Sequence, residues 1–192
     1  MSDHDIGRAV PHSVEAEQSV LGALLQDNDA IDRLGDLRAE HFYRGDHRTI
    51  FAAIVEMLAA GEPADVLTVS DKLRGRDVSV AYLHSLASEV PSSANAGRYA
   101  ALVLERAQRR GLLAVAADAE QMAMDYGSSS VTEQDLVRWL DQSLYQKLPW
   151  LTAGQRGAWF AAVVRRLVHE RGVPLVTLAQ ARFTPARALE AK

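Results

Sequence analysis

The sequence contains no cysteine and only three lysines, and these shortages exclude whole classes of site. Without cysteine the chain forms no disulfide, no thiolate metal site and no cysteine nucleophile. A P-loop needs Gly-x-x-x-x-Gly-Lys before Ser or Thr, and neither Lys72, Lys147 nor Lys192 follows such glycines. The dinucleotide-binding, zincin and nucleophile-elbow patterns are absent as well. The sequence therefore predicts no catalytic residue, no cofactor and no enzyme activity.

Long apolar runs and aromatic side chains are also scarce. No stretch of 18 apolar residues exists, so no membrane span is expected, and the polar N-terminus is not a secretory signal. We therefore expect a cytoplasmic protein. Aromatic residues make up only 6% of a chain that is 48% hydrophobic, and its abundant Ala and Leu favour packed helices over strands.

The spacing of apolar residues and the placement of capping residues predict an all-α fold. Helices are expected over residues 13–26, 46–60, 66–73 and 80–90, with Ser13 and Asp46 as N-caps and Gly61 as a C-terminal stop. One long helix is expected over residues 95–126, a helix capped by Ser130 should reach residue 146, and another should span 158–171. Residues 173–178 are interpreted as a short strand or extended segment.

These elements predict four regions. Residues 1–12 form a flexible leader, and residues 13–94 form a small globular helical body. Residues 95–146 form a long antiparallel helical hairpin, because only a short polar turn separates its two helices. Residues 147–192 form a basic tail that contains the additional C-terminal helix.

The charge is distributed unevenly along the chain. Residues 1–149 hold 14 basic and 23 acidic residues, a net charge of −9, whereas residues 150–192 have a net charge of +5. An acidic body with a basic tail is informative about partners and not about the fold.

The chain has six histidines, which are common metal ligands. His41 and His47 lie six residues apart with Asp46 beside one of them, but this spacing matches no standard ligand pattern. We therefore predict no metal site and assign the histidines ordinary structural or surface roles.

A set of segments in a fixed order resembles the N-terminal collar domain of DnaB-type replicative DNA helicases. The segments are residues 11–22 (PHSVEAEQSVLG), 40–43 (EHFY), 46–51 (DHRTIF), 63–69 (PADVLTV), 81–83 (AYL), and 91–95 (PSSAN) followed by Tyr99. Residues 99–146 are similar to the helical hairpin of that family. The sequence departs from the family in residues 77–80 (DVSV), where a glycine-rich turn is common, and in residues 150–192, where no RecA-like ATPase domain follows.

The resemblance implies a non-catalytic DNA-replication protein. In the family this domain forms a collar on the hexameric ring, pairs through its hairpins, and serves as a docking surface for primase and loading factors. The implied partners are therefore a replicative helicase, a primase or a helicase loader, with the protein acting as an adaptor or an inhibitor.

The predicted hairpin also suggests self-association, as a dimer or a higher oligomer. A long helix with two exposed faces cannot bury both against one partner helix, so a second subunit is expected. The residues assigned to this oligomer interface are Tyr99, Leu102, Leu113, Leu136, Leu140 and Leu144. The alternative is that these side chains pack the hairpin within its own chain.

Two further hypotheses remain open. The basic tail predicts nucleic-acid contacts by Arg156, Arg165, Arg166 and Arg171, with Trp159 and Phe160 near enough to stack on bases. The alternative for this tail is a solvated helix face with Trp159 in the core. The second hypothesis is that the chain is a truncated helicase gene product that retains no activity.

Overall fold

The computed structural model describes residues 10–90, 92–125, 133–148 and 151–171. Within these ranges the chain is entirely helical, which confirms the predicted all-α class. Seven α-helices are described: α1 (Val14–Gln26), α2 (Gly45–Ala59), α3 (Val66–Lys72), α4 (Val80–Glu89), α5 (Ala96–Asp125), α6 (Glu133–Lys147) and α7 (Ala153–Arg171). Short 3₁₀ helices cover Asn28–Arg33, Ala39–His41 and Ser93–Asn95.

The chain divides into two compact units, residues 1–110 and 111–192, with the boundary inside α5. The predicted boundary between body and hairpin was placed earlier, at residue 95. The predicted leader lies largely outside the described residues. The cap at Ser130, the extended segment 173–178 and the rest of the tail after α7 lie outside them too.

The core of the first unit brings α1, α2, α3, α4 and the start of α5 together. Its largest fully buried side chains are Phe42, Leu21, Leu24, Ile50, Ile54, Leu83 and Leu86. Helices α1 and α4 approach closely at Gly22, where an added Cβ would lie 2.0 Å from the carbonyl oxygen of Leu86. The absence of a side chain at this position is therefore what permits the contact.

Several helix ends follow the local sequence signals. Ser13 caps α1 by accepting the N–H of Ala16 at 3.3 Å, and Asp65 and Thr68 form a capping box on α3. Gly61 follows α2 with φ of +74°, the left-handed conformation that favours glycine.

Two predicted helix starts were wrong. Helix α2 begins at Gly45 with Arg44 in the N-cap position, and the carboxylate of Asp46 pairs with the Arg44 guanidinium instead of capping. Helix α7 begins at Ala153 and not at residue 158. The side-chain oxygen of Thr152 accepts the N–H of Gln155 at 3.3 Å, and the side-chain oxygen of Gln155 accepts the N–H of Thr152 at 2.9 Å. This reciprocal cap starts the helix one turn earlier.

Candidate protein-interaction surface

The second unit contains a groove with an apolar lining between α5 and α7. The α5 wall consists of Leu112, Leu113, Ala116 and Glu120, and the α7 wall consists of Trp159, Ala162 and Val163; together they enclose about 270 Å³. We call this set of residues the α5–α7 groove. Residues 111–117 (GLLAVAA) carry no polar side chain, yet 49% of Leu113 is exposed to solvent. An apolar helix segment that remains half exposed is typical of a surface that another protein covers.

The opposite side of the same α5 segment is buried within the chain. Here a second hydrophobic cluster joins α5, α6 and α7 through Val115, Ala119, Leu140, Leu144, Leu148 and Phe160. None of these six side chains is more than 3% exposed. The second unit thus has a core of its own, and α7 is part of it.

The residues predicted to form an oligomer interface fall into separate environments. Tyr99 and Leu102 are half-buried against the core of the first unit, and Leu140 and Leu144 are buried in the second cluster. For these four residues the packing within the chain matches the alternative that the sequence left open. Leu113 is exposed beside the groove, and the side chain of Leu136 lies outside the described set.

The arginines predicted to contact nucleic acid all lie on α7, which spans Ala153–Arg171. Arg156 is engaged within the chain: its guanidinium donates to the carbonyl oxygen of Leu151 at 2.6 Å and lies 5.4 Å from the ring centroid of Tyr145. Arg165 is exposed, and the side chains of Arg166 and Arg171 lie outside the described set. Phe160 is buried in the second cluster and not placed for stacking on a base.

A buried polar network organises the first unit beneath its surface. His47 is fully buried, with Nδ1 2.7 Å from a carboxylate oxygen of Glu17 and Nε2 2.7 Å from the hydroxyl of Tyr82. The Glu17 carboxylate also accepts the backbone N–H groups of Tyr43 and Arg44, at 2.5 and 3.3 Å. The network therefore ties α1, α2, α4 and the segment before α2 to one buried carboxylate.

The hydrogen bonds of Glu17 determine its charge state. Burial alone would raise the pKa of this carboxyl, but the hydrogen bonds from His47 and from the two backbone N–H groups outweigh burial and hold the pKa below its ordinary value of 4.5. Glu17 is consequently the ionised acceptor at the centre of the network.

The two histidines considered as metal ligands are used in separate local contacts. His47 belongs to the Glu17 network, and Nδ1 of His41 accepts the backbone N–H of Arg38 at 3.0 Å. Burial lowers the pKa of His41 below 6.5, which favours the neutral ring that this contact requires. Within the described ranges no three potential metal-binding side chains gather at one place.

The side chain of Arg110 holds the segment that precedes α1 in place. The guanidinium of Arg110 donates to the carbonyl oxygens of Pro11 and His41, at 2.8 and 2.5 Å. It also lies 5.7 Å from the ring centroid of Tyr43, on which the ring of His12 stacks at 4.4 Å. The described part of the leader is thus attached to the body and to α5.

Sequence reasoning missed the groove because it assigned α7 to a tail and not to the second unit. The Thr152-x-x-Gln155 pattern was a usable signal for the earlier start of α7. No comparable signal exists for the Glu17 network, since Glu17, His47 and Tyr82 come from three helices that are distant in sequence.

Comparison with known proteins agrees with this helical architecture. The family described as DnaB-like helicase N terminal domain matches residues 9–105, half of the chain. The chain belongs to this family. The resemblance predicted from the ordered segments is therefore confirmed.

Similar proteins include replicative DNA helicases of bacteria. The replicative DNA helicase DnaB of Mycobacterium leprae is 39% identical over 145 residues, which cover 72% of this chain and 23% of the helicase. The DnaB of Leifsonia xyli is 40% identical over 126 residues, which cover 62% and 28%. The chain thus spans about a quarter of the length of these curated relatives.

A solved structure of a DnaB N-terminal domain is similar to this chain in its fold. The crystal structure of the N-terminal domain of DnaB helicase from Mycobacterium tuberculosis is 35% identical in sequence, with a TM-score of 0.64. The match covers 70% of this chain and 97% of that domain. In the ranges described for this chain, no helix combines the length and the apolar character needed to cross a membrane.

Proposed function

We propose that this chain is a non-catalytic replication protein that binds a replicative helicase, a primase or a helicase loader, and that it self-associates through its second unit. The observation that carries the proposal is the match to nearly the whole N-terminal domain of a DnaB helicase, 97% of that domain. A chain with this domain has a surface suited to the proteins that meet the helicase at that end.

The chemistry of the surface favours a protein partner over DNA. Residues 1–149 have a net charge of −9, which repels a phosphate backbone. The exposed Leu113 and the α5–α7 groove instead favour an apolar contact, whose strength depends little on salt. This combination supports docking on another protein as the primary activity.

Two mechanisms of action follow from such docking. An inhibitor would enter the helicase collar in place of one of its own N-terminal domains, and the mixed ring would unwind DNA more slowly. An adaptor would hold the primase or the loader close to the helicase and raise the rate of priming or loading by increasing the local concentration.

Adding the purified protein to unwinding and priming assays with the source cell's own helicase and primase distinguishes the two mechanisms. An inhibitor lowers the unwinding rate in proportion to its occupancy, whereas an adaptor leaves unwinding unchanged and raises primer synthesis. Unchanged rates at saturating protein, together with no detectable binding to helicase, primase or loader, would contradict the proposal.

One observation favours nucleic-acid binding as a second function. Residues 150–192 have a net charge of +5, and Arg165 on α7 is exposed. Contacts limited to a few phosphates are weak and strongly salt-dependent. Fluorescence anisotropy with single-stranded DNA at two salt concentrations tests this function. Binding that falls with rising salt and disappears in the Arg165→Glu variant would support it.

A further inference from the structure

Two recesses adjoin each other on the first unit, beside the turn that joins α3 to α4. The first encloses about 320 Å³, and its apolar lining side chains are Leu67, Leu73, Val78 and Val80. The second, between α2 and the end of α3, encloses about 340 Å³, and its cationic lining side chains are Arg48, Lys72 and Arg76. Leu73 and Arg76 line both recesses, so the two are continuous. We call them together the α3–α4 surface.

The apolar recess carries large side chains that the chain itself leaves uncovered. Leu67 is 69% exposed in the first turn of α3, and Val80, the first residue of α4, is 44% exposed. Exposed apolar side chains beside a recess are typical of a place where a partner docks. Val78 and Val80 belong to residues 77–80, which replace the glycine-rich turn common in the family, so the resemblance does not imply this surface.

The cationic recess holds two positive charges that no carboxylate neutralises. Lys72 lies 2.6 Å from Glu56 and is thereby paired. The guanidinium of Arg48 donates to two backbone carbonyl oxygens, at 2.8 and 3.2 Å, which hold it in place and leave its charge. Among the residues that the structure describes, neither Arg48 nor Arg76 forms an ion pair. The recess therefore favours a negatively charged group.

Backbone hydrogen bonds order the turn between the two recesses. The N–H of Arg76 donates to the carbonyl oxygen of Leu73 at 2.9 Å, and the N–H of Val78 donates to that of Arg76 at 2.8 Å. A segment that is already ordered loses little conformational freedom when it binds. The turn is thus suited to docking without rearrangement.

We infer that the α3–α4 surface binds an acidic, amphipathic segment of a partner protein, whose apolar side chains enter the first recess and whose carboxylates meet Arg48 and Arg76 in the second. This inference rests on the proposed binding to a replication protein and adds the surface and the chemistry that the partner presents. The apolar contacts supply most of the binding free energy. The two unpaired cations select an acidic segment over a basic one.

The same surface is poorly suited to nucleic acid. No aromatic side chain is among the described residues that line either recess, so bases have nothing on which to stack. Glu56 and Asp71 line the recesses as well, and each already neutralises one of the local cations. Two remaining unpaired cations give few contacts to a phosphate backbone, and such binding is weak and strongly salt-dependent.

The first test measures binding of the full-length protein to the source cell's purified helicase, primase and loader by biolayer interferometry. Arg76→Glu and Leu67→Ser should each weaken the binding by about ten-fold or more. The matched controls are Arg98→Glu and Val55→Ser, which change exposed residues outside both linings and should bind as the wild type does. All four residues are exposed, so thermal melts of the variants should match that of the wild type.

The absence of cysteine permits a second test that identifies the bound segment. Asp77 is exposed next to Arg76 and lines neither recess. Asp77→Cys therefore provides a single thiol for a photo-crosslinker while the surface keeps its side chains. Mass spectrometry of the crosslinked complex should identify a segment of the helicase, primase or loader that has a net negative charge and apolar side chains on one side.

Each other result overturns the inference in a different way. Binding that is unchanged in Arg76→Glu and Leu67→Ser would place the partner on another surface, and the proposed function would stand. A loss in only one of these variants would contradict the use of both recesses. A basic crosslinked segment, a crosslink to a second copy of this chain, or single-stranded DNA binding that disappears in Arg76→Glu would assign the surface a different occupant. No binding to any of the three proteins would overturn both the inference and the proposed function.

Discussion

Replacing Glu17 by glutamine tests the central structural element of the first unit, the buried carboxylate. Glu17 is 1% exposed and accepts hydrogen bonds from His47 and from the backbone N–H groups of Tyr43 and Arg44. Glutamine has nearly the same shape but offers one oxygen. Its amide N–H₂ group must therefore point at groups that donate hydrogen bonds.

The magnitude follows from the contacts that are lost. A hydrogen bond to a charged group contributes about 1.5–3 kcal/mol, and the Glu17 carboxylate takes part in three of them. If two of the three are lost, Glu17→Gln should lower the free energy of unfolding by about 3–5 kcal/mol, a large share of the roughly 5–15 kcal/mol of a typical domain. For a unit of this size the melting temperature should fall by at least about 12 °C.

Chemical denaturation monitored by circular dichroism measures this loss. The matched control is Glu15→Gln, two residues earlier on α1 and exposed, for which a change within about 0.5 kcal/mol is expected. A loss below about 1 kcal/mol for Glu17→Gln, with an unchanged denaturant slope, would refute the assignment of Glu17 as an essential ionised acceptor.

Three further predictions concern packing, pH and ligand binding. Gly22→Ala should destabilise the protein by about 1–3 kcal/mol or more, because its Cβ would meet the Leu86 carbonyl oxygen at 2.0 Å. Gly45→Ala, which meets nothing within 4 Å, should not destabilise it; equal losses in thermal melts would contradict the close approach. The lowered pKa of His41 means that the unfolded chain binds more protons near pH 6, so stability should decrease as pH falls below 6.5. Melting at pH 7.5 and 5.5 should show this decrease, and a decrease of the same size in His41→Gln would assign it to other groups. Calorimetry with ATP and magnesium should give no heat above background for this chain, and micromolar binding would show a phosphate site that the sequence motifs do not reveal.

The first unit could be predicted from the sequence in most of its helices because local signals determine their ends. Ser13 and Gly61 occupy a cap and a C-terminal stop, and both act as expected. Asp46 did not, because its carboxylate is used by Arg44 and the helix starts one residue earlier. Local patterns thus locate a helix, but a nearby ion pair can take the carboxylate that would otherwise cap it, and the N-cap residue of α2, Arg44, makes no side-chain capping hydrogen bond.

The candidate surface was only partly predictable from the sequence. It depends on which apolar helix faces are buried against other helices of the same chain. The apolar stripe of α6 predicted that Leu140 and Leu144 are apolar contacts, but periodicity alone does not distinguish an intrachain contact from an intermolecular one. The structure buries both against α5 and α7, and it leaves Leu113 exposed. The docking of α7 is a tertiary contact that no local pattern encodes.

The preference of this chain for a replication protein over DNA is the property on which the proposed function depends. Its most direct test measures the dissociation constants of this protein for the source cell's helicase and primase, and for single-stranded DNA, at physiological salt, where the Debye length is about 8 Å. We predict binding to helicase or primase that persists when salt is raised and when Arg165, on the exposed side of α7, is replaced by glutamate. Submicromolar DNA binding at this salt, with no measurable affinity for helicase or primase, would contradict this preference.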